Sequence, residues 1–163
     1  MKVFIEEQRF TQTWLIVLIA IGFLVPIVVM INEMIKSDSD LTSTEFMLTI
    51  LFTLVCLLPI FLFKLKTRID EKGIYYQFFP FHFKTRFIAW SAIENAYVRN
   101  YNPISEYGGW GIKGGFLWNR KNGKAVNVSG DIGLQLELKN GKRLLIGTQK
   151  ENEVKQVLAN YKI

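Results

Sequence analysis

Three glycines in the segment 109–114 form the pattern G-x-G-x-x-G, the feature of this chain closest to a cofactor motif. A dinucleotide site needs this pattern where a strand ends and a helix begins, because the helix N-terminus binds the pyrophosphate. Residues 115–118 instead read as a strand, and no βαβ unit surrounds the segment. We therefore interpret the segment as a tightly bent loop, in which glycine adopts positive φ at little steric cost, and we predict no cofactor.

Aromatic and basic side chains are concentrated around this loop. Aromatic rings favour the membrane–water interface, and each Lys or Arg close to an anionic leaflet contributes about 1 kcal/mol of attraction. The alternative is that solubility and the charge bias of membrane topology alone account for the cations. We take the following residues as a candidate ligand- or lipid-facing loop: Tyr107, Trp110, Lys113, Trp118, Arg120, Lys121 and Lys124.

Other residues that could carry chemistry do not form a recognisable set. His82 is the single histidine, and the single cysteine, Cys56, lies in an apolar run, so the sequence offers neither of them partners for a metal shell. We predict no catalytic residues, no metal site and no enzymatic activity. The alternative, an enzyme, would need a polar cleft with converging ionisable groups. The first to inspect are Glu94, Glu106, Asp131 and His82.

Charge is unevenly distributed along the chain. Residues 1–63 hold 3 Lys/Arg and 6 Asp/Glu, whereas residues 64–163 hold 17 Lys/Arg and 8 Asp/Glu, giving net charges of −3 and +9. A basic domain can bind nucleic acid, but neither a groove-reading helix nor an aromatic stacking platform is recognisable here. We therefore expect no nucleic-acid partner.

Two uncharged apolar runs of 18 residues, 14–31 and 46–63, dominate the first part of the chain. At 1.5 Å per residue each would extend about 27 Å as a helix, close to the roughly 30 Å of a bilayer's hydrocarbon core. We predict a transmembrane helical hairpin over residues 13–65, preceded by an interfacial segment over residues 1–12.

Positive charges directly follow the second run. The positive-inside rule places this end in the cytoplasm, and two spans then put both chain termini on the same side. The residues expected at the membrane interface are Trp14, Lys64, Lys66 and Arg68.

Residues 66–163 read as short strands joined by tight turns. Asn140-Gly141 between two short apolar runs is the strongest hairpin signal, and Asn122-Gly123 and Glu71-Lys72 supply further turns. We predict about seven strands in a small barrel or sandwich. The candidate strand segments are 68–70, 73–79, 81–89, 97–101, 115–119, 125–128, 132–138 and 143–146.

The last segment changes from strand to helix periodicity. Thr148 and Glu151 fit a capping box, in which the Thr hydroxyl accepts from the backbone N–H three residues on. Apolar residues follow at helical spacing, namely Val154, Val157, Leu158 and Tyr161. We predict one amphipathic helix that covers the open end of the strand assembly.

Several segments carry a resemblance to a known family. Residues 68–75 (RIDEKGIY) are similar to its first hairpin, and residues 90–93 (WSAI) to the step that ends its third strand. Further similar segments are 101–111, 127–130 and 144–150. The chain in this way resembles the bacterial pleckstrin-homology-like (PH-like) membrane proteins.

The resemblance implies an α+β membrane protein. Two transmembrane helices would be followed, over residues 66–163, by a cytoplasmic PH-like seven-stranded β-barrel with a C-terminal capping helix. The family transfers no catalytic residues.

We expect a membrane-anchored, non-enzymatic PH-like module that binds or scaffolds at the inner leaflet of a bacterial plasma membrane. Its expected partners are membrane lipids and, as a second class, membrane proteins. The alternative is a structural subunit of a larger membrane protein assembly, in which Pro26 and Pro59 shape helix packing.

Overall fold

Both ends of the chain belong to one β unit, and the apolar helices form a separate unit between them in sequence. The computed structural model describes residues 3–36, 42–114 and 122–161. The β unit comprises Met1–Arg9 and Phe63–Ile163, and the helical unit comprises Phe10–Leu62. The β unit thus includes Met1–Arg9, from the segment predicted as interfacial, together with the residues that follow the two apolar runs.

The helical unit contains two helices long and apolar enough to cross a membrane. Helix α1 spans Thr13–Ile35, and helix α2 spans Ser43–Leu57 and continues as a 3₁₀ turn over Leu58–Leu62. Met30 is buried in α1 and no residue of α2 is buried. The apolar surface of this unit is thus left uncovered by the described part of the chain.

Local sequence sets the ends of α2. The Thr42 side chain accepts from the Glu45 N–H at 3.2 Å while the Glu45 carboxylate accepts from the Thr42 N–H at 2.9 Å, a reciprocal capping box. At the other end the α-helix stops just before Pro59, which has no N–H to continue the ladder.

A strand lies near the N-terminus, within the segment predicted as interfacial. Strand β1, Phe4–Arg9, pairs antiparallel with β2, Lys64–Ile69, and its residues alternate between buried and exposed. Two of the three buried side chains, Glu6 and Gln8, are polar. Residues 4–9 of the segment predicted as interfacial thus form a strand that the sequence analysis did not predict, because a strand that buries polar groups shows no apolar alternation to reveal it.

Buried hydrogen bonds connect β1 to the segment that precedes the last helix. The Glu6 carboxylate accepts from the Thr148 hydroxyl at 2.7 Å and from the Gln149 N–H at 2.8 Å. The Gln8 side-chain amide donates to the Gly147 carbonyl at 2.7 Å. These contacts join residues about 140 positions apart in sequence.

The first sheet is an antiparallel meander in the order β1-β2-β3-β4, with β3 at Gly73–Phe79 and β4 at Arg86–Ala89. The hairpin predicted at Glu71-Lys72 is confirmed, since β2 and β3 pair on either side of it. The predicted strand over 81–89 is confirmed at residues 86–89 alone.

The second sheet has the order β5-β8-β9-β7-β6. Strand β7 runs parallel to β9, and the other neighbours are antiparallel. The described residues thus form two sheets of four and five strands, and not one closed seven-stranded barrel. The strands of this sheet are β5 Ile93–Asn100, β6 Gly111–Lys113, β7 Lys124–Asn127, β8 Ile132–Leu138 and β9 Arg143–Gly147.

Turn predictions in the second sheet have mixed outcomes. Asn140-Gly141 joins β8 to β9 as predicted, with Gly141 at φ +77°. The strand predicted at 115–119 lies outside the described residues, and β6 is the strand that pairs with β7. A short helix that the sequence did not predict, α3 at Pro103–Tyr107, follows β5.

The last helix, α4, spans Glu151–Tyr161 and contacts β1, β5 and β8. Its predicted apolar stripe is confirmed by the burial of Val154 and Val157. The Thr148 hydroxyl accepts from the Lys150 N–H, two residues on, while donating to Glu6. The largest side chains that are almost completely buried are Leu65, Ile69, Ile74, Phe78, Leu134, Leu136, Leu145, Ile146, Val128, Val154, Asn127 and Thr148.

We predict that Glu6→Ala lowers the free energy of unfolding by about 2–4 kcal/mol, because two donors lose a charged acceptor in a buried site. The measurement is chemical denaturation of the full chain in detergent micelles. Glu7→Ala is the matched control on the exposed side of the same strand, with an expected cost of less than about 1 kcal/mol. Equal losses for both variants would contradict the structural role of Glu6.

Candidate functional site

The predicted ligand-facing loop is corrected at Tyr107. This side chain is 3% exposed and packs in a core cluster with Tyr101, Ala125 and Leu145. Its hydroxyl accepts from the Arg99 guanidinium at 3.2 Å. Tyr107 is the last residue of α3. The sequence signals for that helix were Asn102 at its N-cap and Pro103 in its first turn.

The remaining loop residues are only partly described. Trp110 is half-buried and donates its indole N–H to the Gly130 carbonyl at 3.1 Å. Lys113 is half-buried and pairs with Ala125 across β6 and β7, next to the exposed Lys124. Three predicted residues lie outside the described part of the chain: Trp118, Arg120 and Lys121.

The glycine pattern in this loop is a bend, as predicted. Gly109, Gly111 and Gly114 all adopt positive φ, and the segment opens strand β6. A Cβ at Gly114 would lie 2.3 Å from the Gly123 carbonyl oxygen, so the backbone passes too closely there for any larger residue.

A polar cavity of about 240 Å³ lies beside α3 and the second sheet. Arg99 donates to the Glu106 carboxylate at 2.8 Å and to the Gln135 side chain at 3.1 Å. This hydrogen bond from Arg99 holds the pKa of Glu106 below its usual range. The cavity is lined by Tyr97, Arg99, Glu106, Asn122, Gln135, Glu137 and Arg143.

The residues named for an enzyme are placed on different elements. His82 lies on the β3–β4 connection of the first sheet, whereas Glu106 belongs to α3 beside the second. Glu94 and Asp131 are exposed. Across residues 3–36, 42–114 and 122–161 there is no group of three or more His, Cys, Asp or Glu side chains placed to hold a metal ion.

The four-stranded sheet carries a row of cations on its exposed face, which we call the cationic face: Arg9, Lys64, Lys66 and Arg68. Strand alternation produces it, since Leu65, Thr67 and Ile69 of β2 are buried. Lys64, Lys66 and Arg68, which the sequence predicted at a membrane interface, therefore share one side of one strand.

Glu7 partly neutralises the cationic face. Its carboxylate lies 2.8 Å from Arg9, 3.8 Å from Lys64 and 3.4 Å from Lys66. The hydrogen bond from Arg9 keeps the pKa of Glu7 below its usual range, so it stays ionised among these cations.

A cavity of about 450 Å³ opens on this face. The Arg68 guanidinium carbon lies 5.7 Å from the centre of the Tyr75 ring, a cation–π distance, and Tyr75 packs against Phe87 with ring centres 4.6 Å apart. The cavity is lined by Ile5, Glu6, Glu7, Lys66, Thr67, Arg68, Tyr75, Gln77 and Thr85.

The β3–β4 connection presents aromatic side chains that the sequence analysis placed in a strand. We call residues 79–86 the aromatic loop: the connection itself together with the last residue of β3 and the first residue of β4. Phe79, Phe81 and Phe83 are 37%, 62% and 84% exposed. Pro80 within the run was the signal against a continuous strand, because proline is confined to strand edges and ends.

His82 points inward between the exposed phenylalanines and fixes the loop. It is 7% exposed, its N–H donates to the Phe78 carbonyl at 2.7 Å, and its Nδ1 accepts from the Phe78 N–H at 3.2 Å. Burial lowers the pKa of His82, and the nearby Arg86 adds to this effect. His82 is therefore a structural histidine in its neutral form at pH 7.

Trp14, the remaining residue predicted at the interface, is the second residue of α1 and is exposed.

Comparisons of the chain with protein-family models, with curated proteins and with solved structures found no match to any of them. The function must therefore be argued from the geometry described above.

We predict that the β unit loses stability as the pH is lowered from 8 to values below about 6.5, which is the ordinary pKa of histidine. The unfolded chain takes up the His82 proton at a higher pH than the folded chain, so acid favours unfolding. Denaturation at pH 8 and pH 5.5 measures the loss.

His82→Asn is the matched variant, since an amide oxygen can still accept from the Phe78 N–H. It should show a smaller loss of stability between the two pH values than the wild type does. An identical loss in both proteins would exclude His82 as its source.

Proposed function

We propose that this chain is a membrane-anchored, non-enzymatic binding module of the PH-like type, held at the cytoplasmic surface of a bacterial plasma membrane. The observation that carries the proposal is the continuity of β1 and β2 with the two apolar helices. Arg9 and Lys64 are paired neighbours in the first sheet, and they adjoin the two ends of the helical unit in sequence.

Short connections support a position close to the membrane surface. Three residues separate Arg9 from Thr13, where α1 begins, and Phe63 alone separates Leu62 from Lys64. A residue extends the chain by at most about 3.6 Å, so the length of the chain itself limits the separation of Arg9 from Thr13 to about 14 Å and that of Leu62 from Lys64 to about 7 Å.

Charge supports the cytoplasmic side. Lys64, Lys66 and Arg68 follow the second helix directly, and an excess of cations next to a span is typical of the cytoplasmic face. Anionic lipids of that leaflet attract such residues.

The order of the elements supports the PH-like part of the proposal. A four-stranded antiparallel sheet is followed by a second sheet and then by a C-terminal helix that packs on both. The non-enzymatic part is supported by the pairing of three cavity-lining carboxylates, Glu7, Glu106 and Glu137, with cations. The fourth, Glu6, accepts hydrogen bonds from Thr148 and Gln149.

The binding surface we propose is the 450 Å³ cavity on the cationic face. It combines Lys66 and Arg68 with the Tyr75 ring, an arrangement suited to an anionic or mixed anionic–apolar group of a partner at the membrane surface.

A structural subunit of a larger membrane assembly is the second candidate. The observation in its favour is an apolar groove of about 260 Å³ between α1 and α2. A further transmembrane helix would fit such a groove by close packing of apolar side chains. The groove is lined by Ile16, Ile19, Ala20, Phe23, Leu54, Leu57, Leu58 and Phe61.

Site-specific photo-crosslinking in native membranes separates the two candidates. A photoreactive residue at Ile5 samples the cavity, one at Ile16 samples the groove, and one at the exposed Asn140 is the control. The binding module predicts a discrete adduct at Ile5 that Lys66→Gln/Arg68→Gln reduces severalfold. A structural subunit predicts a stoichiometric adduct at Ile16, and adducts at Ile5 no stronger than at Asn140 would refute the proposed binding surface.

A further inference from the structure

We propose that the aromatic loop inserts Phe81 and Phe83 into the headgroup region of the leaflet next to the helix ends, giving the β unit a third attachment to the membrane. This inference rests on the membrane anchoring proposed above. It concerns the lipid surface itself, and Phe81 and Phe83 are not among the residues that line the cavity on the cationic face.

Strand register places the aromatic loop at the same end of the sheet as Arg9 and Lys64, the end from which the chain continues into the helices. Lys64 pairs with Arg9 on one side and with Phe79 on the other. Neighbouring strands lie about 4.8 Å apart, so the loop begins one strand spacing from Lys64. The β2–β3 turn at Glu71-Lys72 lies at the opposite end of these strands.

Exposure identifies the side chains that need a partner. Phe83, at 84%, is the most exposed large apolar side chain in the part of the chain that the structure describes, more exposed than any on the two apolar helices. Phe81 is 62% exposed on the same loop. Phenylalanine is among the side chains with which interfacial segments enter the boundary between lipid headgroups and acyl chains.

The loop is held in one conformation before any membrane contact. The Gln77 side-chain amide donates to the carbonyls of His82 and Phe83 at 3.0 and 3.2 Å, and His82 is anchored to Phe78. The Phe81 ring packs against Phe63, with centroids 5.5 Å apart. A loop ordered in advance loses little conformational entropy on binding, which favours insertion.

Charge on the loop points to lipid as the occupant. Lys84 and Arg86 are exposed directly after Phe83. Aromatic rings at the interface with cations beside them match an anionic bilayer surface, which offers apolar depth and negative headgroups together.

The test uses the full chain in nanodiscs with a single spin label. Cys56→Ser removes the natural cysteine. In that background, Phe83→Cys carries the label on the loop, and Glu71→Cys carries it on the exposed turn at the opposite end of the strands. We expect the ratio of collision rates with oxygen and with a water-soluble nickel chelate to be severalfold higher at position 83 than at position 71. Replacing a highly exposed phenylalanine leaves the fold intact.

Nanodiscs of neutral lipid and of lipid containing phosphatidylglycerol test the electrostatic part. Lys84→Gln/Arg86→Gln should reduce the equilibrium constant for loop insertion into the anionic nanodiscs by about 30-fold, because two cation–lipid attractions are lost. In neutral nanodiscs the same variant should insert as the parent does.

A third label separates the two proposals. Val17→Cys lies on α1 and reports lipid contact if the helices span the bilayer. Lipid contact at position 17 with chelate access at position 83 equal to that at position 71 in both lipid mixtures would overturn the loop insertion alone. Water access at position 17 would overturn the anchoring and the loop insertion together.

Discussion

The antiparallel pairing of β1 with β2 is the contact on which the rest of this architecture depends. It brings residues on either side of an apolar helical hairpin into one sheet, with Arg9 beside Lys64. The pairing is made durable by the buried Glu6 carboxylate, which fixes β1 to Thr148 and Gln149. Without this strand the four-stranded sheet would lose an edge and the C-terminal segment its acceptor. The same six residues thus complete the first sheet and connect it in sequence to the apolar helices.

Much of the fold follows from patterns that are easy to read in sequence. The two apolar runs, the Asn140-Gly141 and Glu71-Lys72 turns, and the apolar stripe of α4 all appear where local composition indicates them. These elements depend on near-neighbour rules, such as glycine in a tight turn or apolar residues at helical spacing.

The elements that sequence reasoning missed depend on contacts distant in the chain. Strand β1 buries Glu6 and Gln8, which look like surface residues until Thr148 and Gly147 supply their partners. Division into two sheets is equally non-local, because β7 pairs in parallel with β9 across an intervening strand in sequence. Local periodicity contains no information about either pairing.

The candidate site moved for a related reason. Aromatic and basic residues near 107–124 suggested a surface loop, yet Tyr107 is needed in the core beside Tyr101. Among the described residues of the β unit, the most exposed aromatic side chains are Phe81 and Phe83, on either side of a buried histidine. Composition marks where aromatics are concentrated, whereas exposure depends on which of them the core requires.

Placing the helical hairpin between adjacent strands has a consequence for biogenesis. If the two helices span a membrane as proposed, the ribosome releases β1 some 54 residues before β2, and β1 waits unpaired while both apolar segments enter the bilayer. The sheet closes once Lys64–Ile69 emerge on the side where β1 was left, which requires the hairpin to have turned back. In that arrangement, correct insertion topology is a precondition for assembling the β unit, because a chain with one span misplaced would leave β1 and β2 on opposite sides of the membrane.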